Sequence, residues 1–356
     1  MAVLASRHQG GNDVTYKANI NRIAAAAIAV TAICGTGYAG IGKANAAEVE
    51  GPKVKWLFSL WGNRRAMSEG VEGLAEYVAK KTDGNFEISI QYGEALSSAK
   101  ENIDGLYLKA FDAATVCPTY TPDKLPVLSL LDIGNLPIQS LEENRKVIEA
   151  FYEQKAVQDE FAKWNTVPIM GVVFPAYEIM GKGEKPTSLE KLKAMRVHAS
   201  GGNGRLMKNV GVSTQVVTSP DMYPSLERGL IDAVLQPYTY TFAAFRLYEV
   251  SNWVTDGWSM TGPVCHVMAT KDSYDALPDQ YKQLLKEGAD AGYAHQIEYY
   301  AEGSKKDIET FKKAGLEWVP MPDDIRDAFA AAVKPAWDAQ VKKLNDMGLD
   351  GQALLD

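Results

Sequence analysis

Apolar and polar positions repeat along the chain with periods that spell out most of its elements. Val54 to Leu60 (VKWLFSL) is mostly apolar, as a strand buried on both faces requires, and Trp61-Gly62-Asn63 ends it. From Arg64 to Lys81, Met67, Val71, Leu74, Tyr77 and Val78 recur at three- and four-residue steps, the stripe of an amphipathic helix, which Asp83-Gly84 breaks. Phe86 to Tyr92 (FEISIQY) alternates as a strand and Ala99 to Lys109 has helical spacing. Ala113 to Cys117 (AATVC) is a short strand running into Pro118-Thr119-Tyr120. That order belongs to a parallel sheet with helices on its faces.

The pattern continues through the middle of the chain. Leu141 to Trp164 reads as one or two helices, and Val167 to Phe174 (VPIMGVVF) as a strand broken by Pro175, with Tyr177 to Gly181 extended after it. Ser188 caps a short helix to Lys193, and Met195 to His198 is a strand that enters the loop Ala199 to Asn203. A helix from Gly204 to Asn209, a strand from Thr214 to Val217, a helix from Met222 to Arg228 and a strand from Ile231 to Leu235 follow. The chain then turns aromatic: Tyr238, Tyr240, Phe242, Phe245, Tyr248, Trp253 and Trp258. Val264 to Thr270 (VCHVMAT) is a strand. Asp279 to Lys313 stays helical, about 50 Å at 1.5 Å per residue, long enough to brace two lobes. No Gly/Ser linker separates the lobes, so the chain is expected to cross between them more than once.

Length and composition narrow the class. At 356 residues, about two domains are expected, and 46% hydrophobic with 23% charged residues can bury a core. A net charge of −8 argues against nucleic acid and anionic membranes, yet leaves an anionic small molecule open, because one pocket arginine dominates locally. Arg7, Lys17 and Arg22 lead into the Ala-rich run Ile23 to Cys34, and Ala44-Asn45-Ala46 follows. Residues 1–46 therefore read as a signal peptide cut after Ala46, which implies export to the periplasm. Nothing later is apolar enough to span a bilayer. Cys117 and Cys265 then remain. They could pair in an oxidising compartment, but their apolar and proline neighbours favour two buried free thiols. With no G-x-S-x-G, Walker loop, H-E-x-x-H or paired C-x-x-C, no enzyme chemistry is indicated, and no cofactor. His198, His266 and His295 read as structural or surface residues.

The stretch Pro186 to Asp232 carries a more specific signal, with KPTSLEKLKAMRVHAS followed by VGVSTQVVTSPDMYPSLERGLIDAV. It resembles the solute-binding proteins of tripartite ATP-independent periplasmic (TRAP) transporters, the DctP-like family. Those proteins show an l-k-G-x-k-x-R run and later a G-x-iDg run. AEYVAKKTDGNFEISI, KAFDAATV and DSYDALPDQYKQLLKEGADA fit in the same order. The resemblance implies an α/β, two-lobed periplasmic binding protein, type II-like, with parallel-rich sheets, a ligand cleft between the lobes and a long bracing helix. Residues 47–173 with 262–301 would form lobe I, and 174–261 with 302–356 lobe II. It further implies capture of an organic acid and delivery to small and large permease subunits. Service to a sensor kinase or ABC importer is the alternative, and an exported enzyme a weaker one.

The resemblance places the carboxylate-binding arginine on Arg196, whose planar fork suits a carboxylate. Two departures stand out: Ala194 replaces the usual glycine, and Gln236-Pro237 replaces a Gln/Asn-Glu pair, which counts against a metal site. Gln236 is a candidate donor to the solute. The remaining lining is expected at strand ends: Trp61, Asn63, Tyr120 and Tyr177, with Ser219, Tyr223, Tyr238 and Trp258 from the second lobe. So aromatic a wall favours one carboxylate on an apolar or aromatic body over a C4-dicarboxylate.

Overall fold

The computed structural model describes residues 47–356, so the expected signal peptide and its cut after Ala46 lie outside the described residues. Two mixed sheets organise the chain. The first holds β1 (Val54–Ser59), β2 (Phe86–Gln91), β3 (Ala113–Val116), β4 (Thr166–Val172) and β10 (Cys265–Thr270), in the order β2-β1-β3-β10-β4. The second holds β5 (Glu178–Gly181), β6 (Arg196–His198), β7 (Ser213–Gln215), β8 (Ala233–Gln236), β9 (Trp253–Asp256) and β11 (Glu317–Pro320), in the order β11-β9-β5-β8-β6-β7. Most pairs are parallel. The exceptions are β10, antiparallel to β3 and β4, and β5, antiparallel to β8 and β9. These are strands adjoining the crossings from one sheet to the other, at residues 172–178 and 256–265.

The long helix Asp279–Lys313 has the bounds its periodicity predicts, and it packs along the helix Glu69–Lys81. Their backbones nearly touch. A Cβ on Gly292 would lie 2.4 Å from the Gly70 carbonyl oxygen, a distance no real side chain tolerates. The same helix ties down the first crossing. Tyr293 Oη accepts the Gly171 N–H at 2.6 Å. Gln296 is fully buried, donates to the Met67 carbonyl at 3.2 Å and accepts the Val173 N–H at 3.4 Å.

Cys117 and Cys265 correct the reading as free thiols, for they form a disulfide. Their neighbours explain it. Val116 pairs with His266 across antiparallel β3 and β10, so the cysteines face each other one step beyond, with Cα atoms 4.2 Å apart. His266 is a core histidine as expected: Nδ1 lies 2.7 Å from Tyr152 Oη, and burial lowers its pKa to about 3. A second apolar cluster, with Met222, Leu226, Ile231, Val234, Phe242 and Phe311, fills the second sheet's side. Sequence periodicity missed β9, β11 and the helix Asp323–Asp346.

Candidate functional site

Strand β1 ends at Ser59, and the turn that follows folds Arg65 back beneath it. Arg65 is 5% exposed. Its Nη1 donates to the carbonyls of Trp61 and Asn63, both at 2.8 Å, and Nη2 lies 3.3 Å from Met67 Sδ. Those bonds fix the guanidinium, leaving the buried Nε without a partner among the described residues. Aromatic faces surround it: the guanidinium carbon is 5.9 Å from the Trp61 ring centre, 5.4 Å from Tyr240 and 5.8 Å from Phe245. Tyr240 and Phe245 follow β8 of the second sheet. A cation from one lobe thus sits on rings of the other.

More aromatic groups close in on that cation. Trp61 meets Tyr120, which follows β3, edge to face at 5.9 Å. The Tyr120 phenol is held well above its usual range by burial, then by Tyr240, with Ser219 of the second lobe beside it. Tyr177 lies on the first crossing and exchanges backbone bonds with Met260 on the second, at 2.7 and 3.1 Å. Burial pushes its phenol up, and Tyr240, Tyr300 and Tyr120 add to the effect. Tyr300 reaches in from the long helix; its buried hydroxyl lies near Tyr240 and Arg65, and neither it nor Trp61 Nε1 has a partner among the described residues.

The second sheet supplies polar groups at the carboxyl ends of its strands. Gln236 ends β8; its Oε1 accepts from Thr241 Oγ1 at 3.0 Å, and its Nε2 lies 3.5 Å from His198 Nε2. Thr241 belongs to Tyr238–Ala243, a single π-helical turn that also presents Tyr240. His198 ends β6, and its Nδ1 accepts the Val217 N–H at 3.1 Å. Burial lowers its pKa to about 4, so the ring is neutral at pH 7. Nearby, Asp132 presses on the helix Gly201–Asn209. A Cβ on Gly201 would lie 1.9 Å from its carboxylate, and one on Gly202 2.0 Å from its carbonyl oxygen. Burial raises its pKa to about 6, opposed by Arg205 and the Gly202 N–H.

Trp61, Tyr120, Tyr177, Ser219 and Gln236 therefore belong to one junction between the sheets. The other candidates do not. Arg196 opens β6 at its amino end, 44% exposed, with Nε and Nη2 bound to Asp232 at 3.0 and 2.7 Å. It faces the opposite edge of the sheet, already paired, away from the junction where the anchoring role was expected. The run explains the slip: counted from Ala194 at the glycine position, the lysine position of l-k-G-x-k-x-R falls on Arg196 and the arginine position on His198. Asn63 is exposed and contributes only its carbonyl. Tyr223 and Tyr238 pack on the second apolar cluster, and Tyr238 donates to the Thr255 carbonyl at 2.7 Å. Trp258 packs edgewise on Phe329, and its backbone N–H donates to the buried Glu178 at 3.2 Å. Sequence reading did not single out Arg65, Tyr240 and Tyr300, which meet at this junction, and read His198 as a structural or surface residue.

Comparison with known proteins bears on the family and the fold. The model of the DctP family, bacterial extracellular solute-binding protein family 7, matches residues 59–344. A monocarboxylate 2-oxoacid-binding periplasmic protein of Nostoc sp. is 23% identical over 284 residues, 78% of this chain and 76% of that protein. The ectoine-binding periplasmic protein TeaA of Halomonas elongata is 27% identical over 247 residues, 67% of this chain and 70% of that one. In fold, the chain matches a marine-metagenome TRAP solute-binding protein specific for aromatic acid ligands, from an unidentified microbe. That match has a TM-score of 0.76 at 19% identity, covering 85% of this chain and 96% of the other.

Proposed function

The chain belongs to bacterial extracellular solute-binding protein family 7, and we propose that it is the periplasmic receptor of a TRAP transporter. It captures a small organic acid between its lobes and hands it to the membrane permease subunits. One observation carries the choice of solute: a single buried guanidinium, Arg65, held by main-chain carbonyls and enclosed by aromatic rings from both lobes. In so dry a surrounding a carboxylate gains most from one cation, and a second carboxylate has no comparable partner. The rings Trp61, Tyr120, Tyr177, Tyr240 and Tyr300 suit an apolar or aromatic body, worth about 25 cal/mol per Å² buried. Gln236 and His198 add neutral hydrogen-bonding groups. Relatives named for 2-oxoacid monocarboxylates and for aromatic acids support the same class.

The compartment is argued the same way. Two relatives are named as periplasmic, and the Cys117–Cys265 disulfide suits an oxidising environment. No helix among the described residues is long and apolar enough to cross a membrane. A thermal-shift screen of organic acids on the purified protein tests the reading, since a solute that binds the folded state raises Tm. Monocarboxylates with an apolar remainder are expected to outperform succinate and malate. EDTA is expected to leave the shift intact, because no three His, Cys, Asp or Glu side chains converge among the described residues. Victory for the C4-dicarboxylates, or loss of binding in EDTA, would overturn it.

A further inference from the structure

The loop between β3 and β4 of the first sheet meets the helix that follows β6 of the second, backbone to backbone. A Cβ on Gly202 would lie 2.0 Å from the Asp132 carbonyl oxygen and 2.3 Å from the Gly134 nitrogen. Only a helix start bare of side chains approaches so near, and Gly201-Gly202 supplies it. At the centre of the contact is Asp132, 5% exposed, whose carboxyl group accepts a long bond from the Gly202 N–H at 3.4 Å. Arg205, on the same helix, is its cation, but Nη2 donates to the Asp132 main-chain carbonyl at 3.2 Å. Also facing it are the Thr119 hydroxyl, from the segment after β3, and the Tyr177 phenol, from the first crossing. The helix Asp323–Asp346 reaches the same place with Trp337, whose N–H donates to the Gly134 carbonyl at 3.0 Å. A carboxylate shut into such a contact loses more hydration than these groups return, whereas a neutral carboxyl group does not.

Resting on the receptor reading above, we propose that Asp132 is a proton-operated latch between the lobes. Neutral, it lets the helix Gly201–Asn209 seat on residues 132–134 and the cleft close on its solute; ionised, it favours the open state. Burial fixes the sign. With the lobes apart Asp132 meets water and titrates near its ordinary 3.8, and in the contact its pKa is raised to about 6. A group whose pKa is higher in the closed state favours closing in full below the open-state value, and that help is lost as pH rises through 6. From pH 7.5 to pH 5.0 the ratio of closed to open molecules should therefore grow about tenfold, and closing at pH 5.0 takes up most of one proton. Solute capture thus becomes proton-linked through a residue that need not touch the solute.

The test is a calorimetric titration of the purified protein at pH 7.5 and 5.0 with 3-hydroxybenzoate, or with whichever acid of the thermal-shift screen raises Tm more. The parent protein is expected to bind about tenfold tighter at pH 5.0. It should also take up most of a proton there, read as the difference between two buffers of unlike ionisation enthalpy. Asp132→Asn is neutral at both pH values. It should bind at least about tenfold tighter than the parent at pH 7.5 and lose the pH dependence. Gly202→Ala sets a methyl group against the Asp132 carbonyl and should weaken binding at least about tenfold at both pH values, with a cooperative melting curve to show that it is folded. Equal affinity at the two pH values, tighter binding at pH 7.5, or an Asp132→Asn protein that keeps the parent's pH dependence overturns the latch and leaves the receptor reading standing. Full affinity in folded Gly202→Ala does the same. If Gly202→Ala fails to fold, Asp132→Asn decides alone. Silence from every carboxylate at both pH values removes both readings.

Discussion

Arg65 and Arg196 have the same charge in opposite settings, and the contrast gives the sharpest residue-scale prediction. Replacing Arg65 by Gln strips the cleft of its central cation, and carboxylate binding should weaken by about 2–5 kcal/mol, the usual cost of unpairing a buried charge. Arg196→Ala breaks a solvent-screened pair with Asp232, of little worth to stability, and should leave solute affinity unchanged. Calorimetry on both variants decides; equal losses would return the anchor to β6. Asp132 offers a test by pH. Its pKa is raised from 3.8 to about 6, so its contribution to stability is complete below about pH 4 and lost as pH rises through 6. Asp132→Asn cannot ionise. It should therefore gain on the parent protein by up to about 3 kcal/mol at pH 7 and by nothing comparable at pH 4, read from urea midpoints at both pH values. A gain independent of pH would mean the carboxyl group does not titrate as its burial requires. Such residues are hard to read from sequence. Arg65 falls in the stretch from Arg64 to Lys81 that reads as a helix, but it lies in the turn before the first helical residue, Ala66, beside Arg64, which instead binds Glu69 at 2.8 Å. Tyr300 is one of several apolar and aromatic positions in the run from Asp279 to Lys313, where nothing marks an inward-pointing hydroxyl.

Elements fared differently because their signals are local. The stripe of the helix Glu69–Lys81 and the long run to Lys313 are repeated many times over, and each repeat restates the same face. Strands of three or four residues leave no such record, which is why β9 and β11 escaped and why β6 was placed without a sense of which end meets the cleft. Close approach between elements is also silent in sequence until the partner is known. At the crossing of the two long-packed helices, Gly292→Ala would push a methyl into the Gly70 carbonyl, and a loss of about 1–3 kcal/mol is expected in denaturant unfolding. A neutral result would show that the helices slide apart without cost. Between β3 and β10, the Cys117–Cys265 bond spans 148 residues of chain. Reducing it, or replacing both cysteines by serine, should lower stability by about 2–5 kcal/mol, seen as a lower Tm in reductant. An unchanged melting curve would mean that strand pairing alone fixes that edge.

At the scale of the molecule, two lobes joined by paired crossings and braced by one helix form a hinge system, with groups from both lobes meeting at Arg65. A bound solute favours the state in which both lobes touch it, so small-angle scattering should give a smaller radius of gyration at saturation than without solute. Identical curves would indicate a preformed pocket. The two-lobed plan was implied by the family resemblance; two domains and a chain that crosses between them more than once were also legible, from length and from the absence of any linker. The antiparallel strands β5 and β10 were not, because strand direction depends on which sheet a segment joins and leaves no local trace. One of those strands has a consequence for how the chain is made. In the first sheet β10 lies between β3 and β4, although it follows both, and every strand of the second sheet except β11 comes earlier in the chain. As the polypeptide emerges from its amino end, β3 and β4 have no common neighbour until residue 270 is available, and most of the chain is then already out. Until that moment each presents an open edge to whatever strand is nearby. The first sheet to be begun thus stays open until five strands of the second, β5 to β9, have been made, and the second in turn waits for β11, so neither sheet is finished before the chain nearly is.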